Sequence, residues 1–586
     1  MSLFDELKRR KVFKVAVAYL VVGWLLIQVS STVAPQLNLP EWAPRLITFA
    51  ILLGFPIALV LAWVLDVTPQ GIKVEGAGVG NKRVIAIAAV LAALAVGWYW
   101  KARPVPVAGG GGADAHSIAV LPFVNMSEDK SNEYFSDGIS EEILNVLARM
   151  SGLHVAARTS SFSFRKQEQE IPTIARELKV RMVLEGSVRK QGDRVRVTAQ
   201  LIDASDGYHV WSQTYDRDLK DIFAIQDEIA GAIAQELKVK LDAAPGGGAP
   251  VADTTDLPAY QLYLKAIALW AARGDKNLHQ ALALFEAATK RDPKYAKAWA
   301  GQALTYAILP EWSEDSYEQT RPAGRDAAEH ALALDPNLPE AFAAQAYIAA
   351  TEFRFATSHV LFERAIAIAP SYATGHQWFG EALQMEGDLD AGLQKLRTAV
   401  ALDPKSSIAN SVYAAVLYAA GHEDEALAVC DTIVAIEEEW CPLLKYDVAM
   451  ARKDYATARA ALEISASNRG AEALALFHAQ MDVLDGKGSV EVVAEKLMKA
   501  NDGQNDPASI TPMAGPDVVL WLMALGRNDL AIERFRRFKD VMPHNARFEA
   551  FDRHLGALHC EPKFLEILRE LKVEEPYLAA ACKKAN

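Results

Sequence analysis

Ser127-Glu128-Asp129-Lys130 places a serine and a lysine three residues apart, the spacing at which a lysine can activate a serine nucleophile. The stretch falls in a loop after a strand and has no Lys-Thr-Gly partner, so acyl transfer is not expected. His554, His559 and Cys560 are zinc-binding residue types. Their spacing does not set them on one helical face, and no His-Glu-x-x-His stands among the 12 histidines. Gly76, Gly78 and Gly80 imitate a phosphate loop, but no Gly-Lys-Ser/Thr follows. Glu141 and Glu142 are expected on a solvated helix face. Cys430 and Cys441, eleven apart, could be bridged or could remain buried thiols. No catalytic residue, metal or cofactor is expected, and the chain does not read as an enzyme.

The chain has 586 residues, 51% hydrophobic and 23% charged, with 35 Gly and 26 Pro. That composition excludes collagenous and wholly disordered chains, and four cysteines are too few for a disulfide scaffold. Length suggests several folded units. The net charge of -13 is uneven. Residues 1–104 carry 11 Lys/Arg against 5 Asp/Glu, so a basic head precedes an acidic body. An acidic body repels phosphate backbones, and no nucleic-acid partner is expected.

Three uncharged apolar runs, 15–34, 46–65 and 84–100, have lengths suited to membrane helices, although the third is shortest. Trp98, Tyr99 and Trp100 would form its interfacial belt, and Pro56 would kink the second. Lys/Arg residues number eight before the first run and between the second and third, against three in the other flanks. The positive-inside rule then puts a basic stretch, 1–14, in the cytoplasm. The expected localisation is the bacterial inner membrane, with a lipid bilayer partner through three spans and soluble domains in the periplasm.

A Gly/Pro linker, 101–116, precedes an expected α/β domain at 117–241. Ser117–Phe123 has strand length, and Ser136–Met150 puts Ile139, Ile143, Leu147 and Met150 on one helical face. Leu153–Ala157 reads as a strand, Ile171–Lys179 as a helix and Met182–Arg189 as a strand. Arg194–Ala204 alternates strictly, with Val195, Val197, Ala199 and Leu201 on one face, as a half-buried antiparallel strand does. Tyr208–Arg217 pairs back, and Asp221–Leu241 closes the order β-α-β-α-β-β-β-α as a helix.

Four strings, Leu121-Pro122-Phe123-Val124-Asn125, Glu133-Tyr134-Phe135-Ser136-Asp137-Gly138, Leu184-Glu185-Gly186-Ser187-Val188 and Ala199-Gln200-Leu201-Ile202-Asp203, resemble the TolB-like amino-terminal (FlgO-like) domain of bacterial envelope and signalling proteins. The resemblance implies a domain found between an amino-terminal winged helix or nucleotide cyclase and a helical repeat array. With about fourteen residues before the first apolar run, no such head is expected in this sequence.

After a second linker, 242–255, the span 256–586 reads as an all-α tetratricopeptide (TPR) array with carboxy-terminal capping helices. Pro336, Pro370 and Pro404 stand 34 apart, as do Gly387 and Gly421. Phe362 and Ala365 fill the bulky and small positions of one repeat, and Gly380, Ala399 and Pro404 recur in the next. Repeats between about 440 and 510 are degenerate. First helices of such pairs line a concave face. There Tyr347, Gln377, Glu381, Gln384 and Tyr418 are expected to hold a protein partner.

The expected whole is multidomain: three transmembrane helices, an α/β domain and a TPR solenoid, acting as a membrane-anchored, non-enzymatic interaction scaffold or sensor. Two alternatives remain open: a signalling or transcription-control component whose output domain is supplied in trans, and a small-ligand sensor using the α/β domain.

Overall fold

The computed structural model describes residues 116–165, 169–237, 254–313, 315–432, 440–466, 471–499, 516–541 and 543–573, with Tyr19, Val22, 65–68 and 71–74. The chain divides into two compact units, Met1–Gly112 and Ala113–Asn586.

The expected fold class and localisation require correction in the first unit. Among the described residues no helix is long and apolar enough to cross a membrane. At Leu65, the last residue of the expected second span, the chain enters a strand, Leu65–Thr68, paired antiparallel with Gly71–Val74. The rest of 15–34, 46–65 and 84–100 lies outside the described residues, save Tyr19 and Val22. An apolar run is necessary for a span but does not make one, because the same residues can be buried by protein. The three-span assignment, the bilayer partner, the inner-membrane localisation and the periplasmic placement fall together.

In the second unit, strands β1 (Ser117–Val120), β2 (Val124–Asn125), β3 (His154–Val155), β4 (Met182–Gln191), β5 (Arg194–Asp203) and β6 (Tyr208–Asp218) form one sheet, ordered β3-β1-β4-β5-β6, with β2 also on β4. The β1 and β2 pairings are parallel, and β4–β5–β6 is an antiparallel meander. Its first turn contains Gly192 at φ 59, a left-handed conformation that glycine adopts without a Cβ clash. The alternation of β5 has its expected consequence: Val195, Val197, Ala199 and Leu201 are wholly buried. Helices α1 (Glu133–Ala148) and α4 (Ile222–Glu236) supply Ile139, Ile143, Ile229 and Ile233 to the same core. Short helices α2 (Arg158–Phe162) and α3 (Ile171–Leu178) stand on the other face, where Ile174 and Leu178 meet Ala119 and Val183.

The helical part follows as antiparallel pairs: α5 (Leu257–Ala272) with α6 (Asp275–Arg291), α7 (Ala296–Trp312) with α8 (Tyr317–Leu334), and α9 (Pro339–Thr351) with α10 (Phe355–Ile368). Then come α11 (Ala373–Glu386) with α12 (Leu389–Leu402) and α13 (Ser407–Ala419) with α14 (Glu423–Thr432). The turn inside three successive pairs carries one left-handed residue, Phe353, Gly387 or Gly421, each 34 after the last. Such a residue ends a helix by letting its final carbonyls be capped. Gly380 allows close approach of α11 to α12: a Cβ there would lie 2.6 Å from Leu396 Cγ.

Where the sequence is degenerate the pairs continue, as α15 (Trp440–Ala451) with α16 (Tyr455–Ala466) and α17 (Ala471–Leu484) with α18 (Val490–Lys499). After α19 (Pro516–Ala524) and α20 (Asn528–Val541), α21 (Pro543–Glu549) returns to α11. Buried Arg547 Nε donates to the Met385 carbonyl at 2.7 Å, while its guanidinium lies over the rings of Phe353, Phe355 and Phe551. Cys430 and Cys441 form a disulfide, with Cα atoms 5.5 Å apart.

Candidate functional site

The α/β domain is seated along the loops that join successive repeats. Ser371 Oγ donates to the Leu153 carbonyl at 2.9 Å and accepts from Val155 N at 3.2 Å. One repeat later, Asp403 Oδ1 accepts from Ser160 N at 2.9 Å and from Ser160 Oγ at 2.5 Å, and Ala157 N donates to the Leu402 carbonyl. Lys405, 34 residues after Ser371, pairs with Glu177. Burial pushes the Asp403 carboxyl up from its ordinary range, partly offset by the Ser160 bonds.

Glu141 and Glu142, expected to be solvated, are buried in this contact. Glu142 pairs with Lys297 at the start of α7, and Glu141 with Arg158 at 2.7 Å. The partners of Glu142 lie on other elements, which a helical-face reading of α1 alone does not see.

On the first helices of two successive pairs, α9 and α11, the structure gathers Tyr347, Gln377 and Glu381. Tyr347 Oη lies 2.5 Å from Glu311 Oε1 and 3.2 Å from Glu381 Oε2, and Gln377 Nε2 donates to Glu381 Oε1 at 2.9 Å. Tyr317 also donates to Glu311, at 3.2 Å. Burial, then repulsion from Glu311, raises Glu381 to about 8, and burial raises Glu311 as well. Tyr347 has one proton, which goes to Glu311 across the shorter gap. The upward shift favours the protonated form of Glu381, which would let it donate to Tyr347 and spare the site two full charges. Arg273, lowered to about 10 by burial, remains cationic nearby with its guanidinium 3.7 Å from the centre of the Trp270 ring.

Gln384 and Tyr418 are placed apart from that cluster. Tyr418 stacks on His554 at 3.9 Å between ring centres, and Gln384 is buried one turn beyond Glu381. Of the five expected partner-binding residues only Gln377 is half-buried; Tyr347, Glu381, Gln384 and Tyr418 are buried. Glu311, Tyr317 and Arg273 were missed by the sequence reading. Glu311 stands 36 residues before Tyr347 and so falls off the 34-residue register.

Among the described residues no group of three or more His, Cys, Asp or Glu could hold a metal ion. Ser127 Oγ, the serine of the Ser-x-x-Lys stretch, accepts from Lys190 N at 2.9 Å. The cluster's available chemistry is hydrogen bonding and charge recognition.

A relative from Rhizobium meliloti (strain 1021), named "Putative adenylate cyclase 3", is 47% identical over 150 residues, 26% of this chain and 26% of its own. This chain thus spans about a quarter of that relative's length. Among solved structures, the type IV pilus biogenesis factor PilW is 19% identical, covering 36% of this chain and 94% of its own at a TM-score of 0.30. Pseudomonas aeruginosa pilF is 16% identical, covering 38% and 98% at 0.30. Residues 114–232, which overlap the 117–241 stretch expected to be TolB-like, match instead the second domain of HilA/YgeH-like transcriptional regulators. Residues 383–446 match the tetratricopeptide repeat family, in keeping with the helix pairs at 34-residue spacing.

Proposed function

We propose that this chain is a non-enzymatic protein-interaction scaffold whose partner is held by the inner helices of the repeat array. The supporting observation is the hydrogen-bonded group of polar residues on the first helices of successive pairs, with half-buried Gln377 at its edge and Glu381, Tyr347 and Glu311 beside it. Stacked helix pairs present an extended surface, and binding is the use such a surface serves. A photo-crosslinking residue placed at Gln377 should trap a protein partner in living cells, whereas the same group at Val360, 66% exposed on α10, should trap little. Equal trapping at both positions, or trapping at Val360 alone, removes the inner-face assignment.

The likeness to a protein named as an adenylate cyclase favours a second reading, in which the scaffold serves a signalling protein whose output domain is on another chain. Purified chain is then expected to form no cyclic AMP from ATP. Formation of cyclic AMP by the chain alone would replace both readings with an enzyme.

A further inference from the structure

Three of the sequence strings singled out above, those beginning at Leu121, Leu184 and Ala199, meet on the outer face of the α/β sheet. They line a half-open cavity of about 370 Å³ there, within the range of small-molecule sites.

The cavity has a backbone origin. Val120 pairs with Leu184 and Val124 with Ser187, so three residues, Leu121 to Phe123, oppose only Glu185 and Gly186. This is a bulge in a parallel pairing, where bulges are rare. Pro122 has no N–H to give, and Phe123 N donates to Ser140 Oγ at 2.8 Å instead of to the sheet. Gly186 makes the arrangement possible: a Cβ there would lie 2.3 Å from the Thr198 carbonyl oxygen and 2.8 Å from the Phe123 ring. The bulged segment becomes one wall, and Phe164, Ile171 and Ile174 form the facing apolar wall.

The floor is polar. Glu185 is opposite Gln200, and Ser187 is opposite Thr198, in the β4–β5 register. Thr198 shares a hydrogen bond with Thr214, but the side chains of Glu185, Ser187 and Gln200 have no hydrogen-bond or ion-pair partner among the described residues. Among the described residues Arg165 is the one basic member of the lining, and its charge is already met by Glu133 and Asp137. Among the described lining residues, the charge without an ion-pair partner is the Glu185 carboxylate.

We infer that this cavity binds a small organic cation, an amine on an apolar body. Its ammonium sits on Glu185, with the Gln200 carbonyl oxygen and Ser187 Oγ as further acceptors for its three N–H groups. The body lies against Phe164, Ile171 and Ile174, where it is removed from water. This goes beyond the scaffold reading, because it makes the α/β domain a ligand reader whatever the array holds.

The test is calorimetric titration of the full chain with three molecules of one shape: tryptamine, tryptophol and indole-3-acetate. A charged hydrogen bond to Glu185 should make tryptamine bind roughly ten-fold or more tighter than tryptophol, with indole-3-acetate weakest. Glu185→Gln should abolish that preference. Gln200→Leu, on the same floor, should weaken tryptamine without reversing the order, and provides the readout if Glu185→Gln does not fold. Equal binding of all three, tightest binding of indole-3-acetate, no binding of any, or a preference untouched by both substitutions would overturn the inference. None of these outcomes bears on crosslinking at Gln377, so the two ideas fail separately.

Discussion

Ser160 donates its hydroxyl to the Asp403 carboxylate at 2.5 Å, across 243 residues of chain. Asp403 belongs to the loop before α13, one repeat after the loop whose Ser371 bonds Leu153 and Val155. Two successive inter-repeat loops therefore both bond the α/β domain.

Replacing Asp403 with Ala should leave the Ser160 N–H and hydroxyl buried without an acceptor, at a cost of about 1–3 kcal/mol. In urea, the α/β domain should then unfold ahead of the array, giving two transitions where wild type gives one. A single unshifted transition would mean that the contact is not stabilising.

The Glu142–Lys297 pair is buried on the Glu142 side and largely so at Lys297. Glu142→Gln or Lys297→Met alone should cost about 3–5 kcal/mol by stranding the other charge, whereas the double substitution should recover much of that loss. A double-mutant cycle measures the difference, and additive losses would show the two residues acting independently.

Glu381 supplies a pH prediction. Its carboxyl is raised from 4.5 to about 8, so the folded state holds the proton more tightly than the unfolded state. The stabilisation is complete below the unfolded value and is lost as pH rises through about 8. Glu381→Gln, which keeps a neutral hydrogen-bonding group, should flatten this part of the melting profile between about pH 5 and pH 9. Parallel profiles for wild type and variant would place the proton elsewhere.

Gly380→Leu should disrupt the α11–α12 contact, since even a Cβ would meet Leu396 at 2.6 Å and the Gly392 carbonyl at 3.1 Å. Overpacking of this kind costs about 1–3 kcal/mol, and here backbone blocks relief. Hydrogen exchange should quicken in both helices while the β4–β5 hairpin keeps its protection.

The alternation of β5 and the 34-residue spacing of prolines and glycines were legible because each reports a local requirement. A half-buried strand needs period two, and a helix pair needs a stop and a left-handed turn. The same locality explains why Gly380 could be assigned to a helix contact before Leu396 was known to be its neighbour. It also marks the limit of the apolar runs at 15–34, 46–65 and 84–100, whose hydropathy specifies burial without naming what buries them.

Only the tertiary structure decided which polar groups are interior. Glu142 looked solvated until Lys297, 155 residues later, was brought against it, and Ser160 carried no mark of Asp403. Tyr347, Glu381, Gln384 and Tyr418 could be placed on the first helices of their pairs by register alone. Their burial depends on partners from distant segments, His554 over Tyr418 and Glu311 beside Tyr347. Periodicity along a chain defines which side of a helix faces inward; how much space remains there is a property of the packed whole.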